Sequence, residues 1–236
     1  RASLHVDDAN PIATFLFTDI EGSSRLWERE PTRMQVALAR HDALARAAVV
    51  GQGGSIVKMT GDGMCAVFQD PCGAIDATLV FLRGLARPMT SDDCELKARC
   101  GIHVGAAQQR DNDYFGTTVN RAARIMSAAH GGQVLLSQAV VDLVRGRLPE
   151  TVSLRDLGLV RLRDLASPER LYQVLHPALR QDFPALRSLE AAPNNLPQQV
   201  TTFVGREHEL DDARKALART RLLTFLGAGG IGKTRL

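Results

Sequence analysis

The sequence predicts an α+β fold built on a βαββαβ unit, and three observations predict it. Ile12 to Phe17 is an apolar run rich in β-formers, the pattern of a buried strand ending at Thr18-Asp19. Two short strand-like runs, Ser55 to Met59 and Met64 to Phe68, are joined through Gly61-Asp62-Gly63, which is a hairpin signal. Helical spacing flanks that hairpin on both sides, so the order becomes the split βαβ unit of ferredoxin-like domains.

The first helix spans about Ser24 to Val50, where Met34, Leu38, Ala45 and Ala48 recur at helical spacing and Gly51 to Gly54 ends the run. A second helix is expected over Ala74 to Ala86 and another strand over Leu96 to Val104. Beyond them follow a loop (Gln108 to Asp113), a helix (Thr117 to Ala129), a strand (Gln133 to Ser137) and a short helix. Two further strands, around Leu154 to Leu162 and Arg170 to Leu175, close a domain of residues 10–176. Composition changes at His176: Pro177, Pro184, Pro193 and Pro197, with Asn194-Asn195 and Gln198-Gln199, predict a linker over 177–199. Residues 200–236 form a separate last segment.

Composition narrows the function classes. With 236 residues, 44% hydrophobic and 23% charged, the chain has the balance of a soluble globular protein. A net charge of +3 is too small to argue for a nucleic-acid partner, and no aromatic-plus-basic stripe accompanies it. Cys65, Cys72, Cys94 and Cys100 form no CxxC pair and have no histidine cluster beside them, which argues against zinc and suits a reducing compartment. No apolar run approaches about 18 residues and no signal peptide is recognisable, so no membrane partner and a cytoplasmic location are expected.

The candidate chemistry lies at the end of the first strand. Asp19 stands there and Asp62 in the neighbouring hairpin turn, so a βαββαβ sheet can bring both carboxylates to one edge. Convergent hard oxygen ligands suit Mg²⁺, above all when phosphate oxygens complete the octahedron. The alternative is a pair of solvated turn aspartates, and for Asp19 taken alone the two readings are equal. Ile20-Glu21-Gly22-Ser23-Ser24 exposes backbone N–H groups at a helix start, which fits either an anion site or an ordinary serine N-cap.

Four segments, in order, resemble class III adenylate and guanylate cyclases, of a bacterial, actinobacterial type. TFLFTDIEGSS (14–24) resembles their first metal-binding segment, and VKMTGDGMCAVF (57–68) their hairpin. ARCGIHVG (98–105) resembles the strand with a phosphate-contacting Arg, and DYFGTTVNRAARI (113–125) the segment with a base-recognition acid, an Asn and an Arg. The resemblance covers about residues 10–176 and implies a palm-type cyclase fold with extra C-terminal strands and helices. It assigns Asp19, Asp62 and the Ile20 carbonyl to two Mg²⁺ or Mn²⁺ ions per site, with Gly22, Ser23 and Ser24 on the phosphates. Lys58 and Asp113 would recognise adenine, whose ring-nitrogen acceptor and exocyclic amine donor match an ammonium and a carboxylate. Guanylate cyclases of this family typically carry Glu and a small polar residue there, so the pair favours ATP.

Asn120 and Arg124 share a helix face four residues apart. The resemblance makes Asn120 orient the ribose and Arg124 stabilise the transition state, while Arg99 contacts phosphate. GLVRLRDL (158–165) resembles a late strand that ends in a phosphate-binding Lys; Arg163 stands at that position and keeps the charge. Arg121 is expected to point elsewhere into solvent. His103 is expected to be a core histidine rather than a general base, and Trp27 and Phe15 to be core. Tyr114 and Phe115 are expected to pack behind the base-recognition loop.

The implied activity is adenylate cyclase: ATP to 3′,5′-cyclic AMP and pyrophosphate, a phosphorus–oxygen lyase acting in signal transduction. Lys58 and Asp62 lie too close in sequence to reach both the base and the metals of one ATP. The resemblance resolves this with a head-to-tail homodimer, one protomer giving Asp19, Asp62 and Arg99 and the other Lys58, Asp113, Asn120 and Arg124. Alternatives are a guanylate or relaxed-specificity cyclase and a non-catalytic ATP-binding regulatory module.

The last segment has its own motif. Gly227 to Thr234 fits the P-loop pattern GxxxxGK[ST] through Gly227, Gly232, Lys233 and Thr234, behind the apolar run Leu222 to Leu226. TTFVGREHEL (201–210) resembles the opening of signal-transduction (NB-ARC-like) ATPases. With the sequence ending at Leu236, this segment is expected not to hydrolyse ATP.

Overall fold

A computed structural model describes residues 10–87, 94–111, 113–188 and 207–220. The chain divides into two units, Arg1–Ala192 and Pro193–Leu236. The elements of the first are β1 (Ile12–Ile20), α1 (Ser23–Arg29), α2 (Pro31–Gly51), β2 (Ser55–Met59), β3 (Gly63–Phe68), α3 (Pro71–Leu85) and β4 (Ala98–Ala106). After them come β5 (Gln108–Arg110), β6 (Asp113–Phe115), α4 (Thr117–Ala128), β7 (Val134–Ser137), α5 (Gln138–Val144), β8 (Ser153–Val160) and β9 (Glu169–Leu175).

Seven strands form one sheet in the order β2-β3-β1-β4-β7-β9-β8, antiparallel except where β4 meets β7. The first four places are the arrangement expected of a βαββαβ unit, and the whole is the mixed α+β sheet of the predicted palm. Alternation along β1 makes the two faces. Leu16 points into the large cluster with Ala45 and Val49 of α2, Ile75 and Leu82 of α3 and Val140 of α5. Phe15, fully buried on the opposite face, packs with Cys65, Ala107 and Ala122 of α4. Gly101 lets α4 lie against β4, for a Cβ there would stand 2.2 Å from the Met126 nitrogen. Among the described residues, no helix is long and apolar enough to cross a membrane.

Several boundaries differ from expectation, each for a local reason. The single helix predicted over 24–50 is two, because Pro31 cannot continue a helix and holds Glu30 in a non-helical conformation (φ −142°, ψ 58°) before starting α2 at its first position. The first strand continues three residues past Phe17 to Ile20, because Thr18, Asp19 and Ile20 pair with both β3 and β4 or with β4 alone. The predicted loop at 108–113 contains β5, which pairs with β6 as a small hairpin. Trp27, expected in the core, is 40% exposed on the short helix α1, whose half-buried Leu26 makes the apolar contact instead. Residues 177–188, expected as linker, are bonded to the first unit: Leu179 packs on the large cluster and the Arg187 N–H donates to the Ala128 carbonyl at 3.0 Å.

In the second unit the described residues form one helix, α6 (Glu207–Leu217), with Lys215 paired to Asp211 one turn earlier. The P-loop residues Gly227, Gly232, Lys233 and Thr234 lie outside the described residues.

Candidate active site

Strand register builds one end of the site. Asp19 on β1 sits opposite Gly63 on β3 and opposite Arg99 on β4. Gly63 is needed for that approach, since a Cβ there would lie 2.0 Å from the Thr18 carbonyl oxygen. The Arg99 guanidinium grips Asp19 Oδ2 through Nε at 2.8 Å and Nη2 at 2.7 Å, and its Nη1 donates to the Ser127 carbonyl of α4 at 3.3 Å. Asp62, one residue before β3, is tied to the same corner: its carbonyl accepts from the Ile20 N–H at 2.8 Å, and its Oδ2 accepts from Ser23 Oγ at 2.6 Å.

These bonds exclude the serine N-cap at Ile20 to Ser24. The N-cap of α1 is Gly22 in the left-handed region (φ 72°, ψ 21°) and not a serine. Ser23 is buried and spends its hydroxyl on Asp62, while Ser24 is exposed. Asp19 and Asp62 are therefore an ordered pair rather than two free turn carboxylates. Both are bonded through Oδ2 only, so each keeps Oδ1 without a hydrogen bond from the described residues. Two half-used carboxylates beside the main chain of Ile20 are an all-oxygen donor set that fits a hard divalent cation. Among the described residues there is no cluster of three or more His, Cys, Asp or Glu side chains, so substrate oxygens would have to complete any such coordination. Arg99, expected on phosphate, is engaged with Asp19 here.

A second group forms on the other side of β3. Lys58 Nζ lies 3.0 Å from Asp113 Oδ2, joining β2 to β6 across 55 positions of sequence. Asp113 Oδ1 also accepts from the Tyr114 N–H at 2.8 Å. The Lys58 hydrogen bond, aided by the Tyr114 N–H, holds the Asp113 carboxyl below its usual range. Tyr114 packs edge-on against Phe15 with centroids 5.2 Å apart, so the β6 turn is anchored in the core; Phe115, expected beside it, is 48% exposed. Among the described residues, no hydrogen bond or ion pair joins this group to the Asp19 corner.

Along α4, Asn120 is exposed and Arg124 is half-buried with Nη2 2.8 Å from Asp164 Oδ2. Arg163 and Arg124 line one cleft of about 260 Å³ together with Ser127 and Arg187. Arg121, expected in solvent, is partly buried and faces Glu169 at 3.4 Å. His103 is buried with Nδ1 2.7 Å from Ser137 Oγ, and burial, reinforced by the charge of Arg121, lowers its pKa to about 4. That is a satisfied core histidine.

Sequence reasoning missed three participants. Asp164 follows Arg163 directly and adopts φ 61°, a conformation Asp tolerates better than most residues; its position beside Arg124 has no signal in spacing. Glu21 lay inside the quoted loop string but was given no role. Arg187 lay in the stretch expected to be linker.

A family model described as the adenylate and guanylate cyclase catalytic domain matches residues 7–174. An uncharacterised protein of Mycobacterium tuberculosis is 40% identical over 200 residues, covering 84% of this chain and 68% of its own length. Among solved structures, an adenylate cyclase of Trypanosoma brucei in its monomeric state superposes with a TM-score of 0.65 at 29% identity, over 75% of this chain and 92% of that one. An adenylate/guanylate cyclase/hydrolase from Silicibacter pomeroyi gives 0.62 at 31% identity, over 69% and 95%.

Proposed function

This chain belongs to the adenylate and guanylate cyclase catalytic domain family, and on that premise we propose that it converts ATP to 3′,5′-cyclic AMP and pyrophosphate. The observation that carries the choice of ATP is the Lys58–Asp113 pair, an ammonium and an ionised carboxylate 3.0 Å apart. Lys58 donates to the ring-nitrogen acceptor of adenine and Asp113 accepts from its exocyclic amine; guanine reverses that pattern. The pair is half exposed, so the two side chains part for a base at small cost.

The ribose 3′-oxygen attacks the α-phosphorus in line, the new P–O bond closes the ring, and the bond to pyrophosphate breaks. Asn120 orients the ribose, and Arg124 meets the charge that develops on the phosphoryl oxygens, aided by Arg163 in the same cleft. Asp164 holds the Arg124 guanidinium until substrate arrives. Asp19, Asp62 and the Ile20 carbonyl would hold Mg²⁺ or Mn²⁺, two ions per site, which when bound lower the pKa of the 3′-hydroxyl and neutralise the phosphates. Ser23 fixes the Asp62 carboxylate, Gly22 and Ser24 flank it at the phosphates, and Arg99 holds the Asp19 carboxylate in place until it exchanges to a phosphate oxygen. Solvent or a substrate phosphate takes the proton.

Each complete site takes Asp19, Asp62 and Arg99 from one protomer and Lys58, Asp113, Asn120 and Arg124 from its partner, in a head-to-tail homodimer with two equivalent sites. The reading extends to a cytoplasmic signalling enzyme. Residues 200–236 we read as the opening of an NB-ARC-like P-loop ATPase, on the motif at 227–234 and the string at 201–210.

The deciding experiment is product formation by purified protein from ATP or GTP with Mg²⁺ or Mn²⁺. Metal-dependent cyclic AMP from ATP is the expected outcome. Equal or greater cyclic GMP formation would reassign the substrate, and no product from a folded dimer would favour a nucleotide-binding module.

A further inference from the structure

The stretch after β9 runs back across the domain and ends on the site. The Arg180 guanidinium lies 4.7 Å over the Phe183 ring, and Phe183 stacks on His130 with ring planes 8° apart. His130 Nε2 is 2.9 Å from the Ala185 carbonyl oxygen, and Leu186 packs on the cluster of α4, β7 and β9. The Arg187 backbone donates to the last helical turn at Ala128, which leaves the side chain to reach the loop before α1.

There Arg187 Nη2 donates to Glu21 Oε1. Glu21 stands between Ile20 and Gly22, in the turn that connects Asp19 to Ser23. Its own N–H donates to the Lys97 carbonyl at 2.9 Å. Its side chain crosses Gly131 so closely that a Cβ at that glycine would stand 2.7 Å from Oε2. The turn is thus fastened by its main chain on the β4 side and by one guanidinium on the other. At 45% and 30% exposure the ion pair itself contributes little stability, so its consequence is positional.

We propose that Arg187 is a positioning residue for the cyclase reaction, acting through Glu21 to hold the turn that presents Asp19, the Ile20 carbonyl and Ser23. The inference rests on the reading that this turn carries the cation-binding oxygens. Ser23 in turn orients Asp62, so both carboxylates depend on where the turn sits. Partners that orient ligands from behind contribute about 10–100-fold to metal affinity in other sites.

The test uses the full chain with Arg187→Ala, Arg187→Lys and Glu21→Gln. Hydrogen–deuterium exchange is followed in peptides covering 19–26 without metal or nucleotide. Mn²⁺ binding is titrated by loss of the free-ion electron paramagnetic resonance signal, and ATP kinetics complete the set. Arg187→Ala and Glu21→Gln should speed exchange at 19–26 while leaving 98–106 unchanged, and raise the half-saturating Mn²⁺ by about tenfold. The KM for ATP should move less, and Arg187→Lys should recover most of the loss. Unchanged exchange at 19–26 in both variants would overturn the clamp. A raised KM for ATP with unchanged exchange would also overturn it, making Arg187 a direct phosphate contact beside Arg124 and Arg163. If the native chain forms no cyclic nucleotide, the proposed reaction fails, while exchange and Mn²⁺ binding still decide the clamp.

Discussion

Asp19 and Arg99 face each other across adjacent strands with side chains 22% and 21% exposed, whereas Lys58 and Asp113 meet between a strand and a small hairpin at 53% and 34%. The backbone of the first pair is set by the β1–β4 register; the second is a surface ion pair, which contributes little stability. Arg124 and Asp164, at 40% and 64%, belong with the second kind. The sheet therefore frames the Asp19 end, whereas turns and a helix surface carry the groups that, in the proposed reaction, would open to receive a base and a partner protomer. The contrast teaches that the two candidate groups differ in rigidity, one framed by strand register and the other held between surface elements.

The largest effect should follow from removing the framed carboxylates. Asp19→Ala or Asp62→Ala should lower cyclic AMP formation by at least about 10²-fold, and Asp62→Ala should also lower the melting temperature modestly because buried Ser23 loses its partner. Asp19→Ala also leaves Arg99 without its carboxylate, so a modest loss of stability is expected there. Mixing Asp19→Ala with Arg124→Ala chains should restore about a quarter of native activity, since half the dimers are mixed and each carries one intact site. No rescue in confirmed mixed dimers would sink the shared-site arrangement and place both ends in one protomer.

A smaller effect is expected at the open end. Lys58→Glu with Asp113→Cys should reduce the preference for ATP over GTP by about tenfold or more, because mismatched donors and acceptors at a buried base are left unpaired. Substrate-competition kinetics with both nucleotides read this ratio directly. An unchanged ratio would show that the pair is a strut between β2 and β6 and does not read the base.

What was legible in the sequence divides along the same line. The β1 run, the Gly61-Asp62-Gly63 turn and the periodicity of α4 placed Asp19, Asp62, Asn120 and Arg124 correctly in the fold, because local pattern determines strands and helices. Pro31 was an available signal for the break between α1 and α2 that periodicity alone passed over. The pairings of Arg99 with Asp19, Ser23 with Asp62 and Arg124 with Asp164 were not legible, since each joins residues 39 to 80 positions apart and depends on register or loop path. Prolines after His176 read as linker, yet composition does not say whether an irregular stretch finds a surface to lie on. Phe183 and Leu186 were the overlooked apolar contacts that fasten it.

A last effect, on stability rather than on rate, lies beneath the framed end and concerns acid. β4 carries both Arg99, at the site, and His103, buried at 5% exposure against Ser137. Burial, with Arg121 adding to it, brings the His103 pKa from 6.5 down to about 4. Between those two values the unfolded chain binds a proton that the folded chain refuses, so stability is full above the unfolded pKa and falls as pH drops through this window. The contribution lost by pH 4 is on the order of 3 kcal/mol. Urea midpoints at pH 7 and near pH 4.5 should therefore differ more for the native chain than for His103→Gln, which cannot titrate and retains a group able to bond Ser137. Equal differences in the two proteins would remove His103 as the source and leave the acid sensitivity to the carboxylates. A smaller difference in the variant would tie the acid sensitivity to the strand that holds Arg99 against Asp19. Activity at the framed end should then fail in acid before the exposed Lys58–Asp113 pair is touched, because Asp113 is held below its usual range and stays ionised further down.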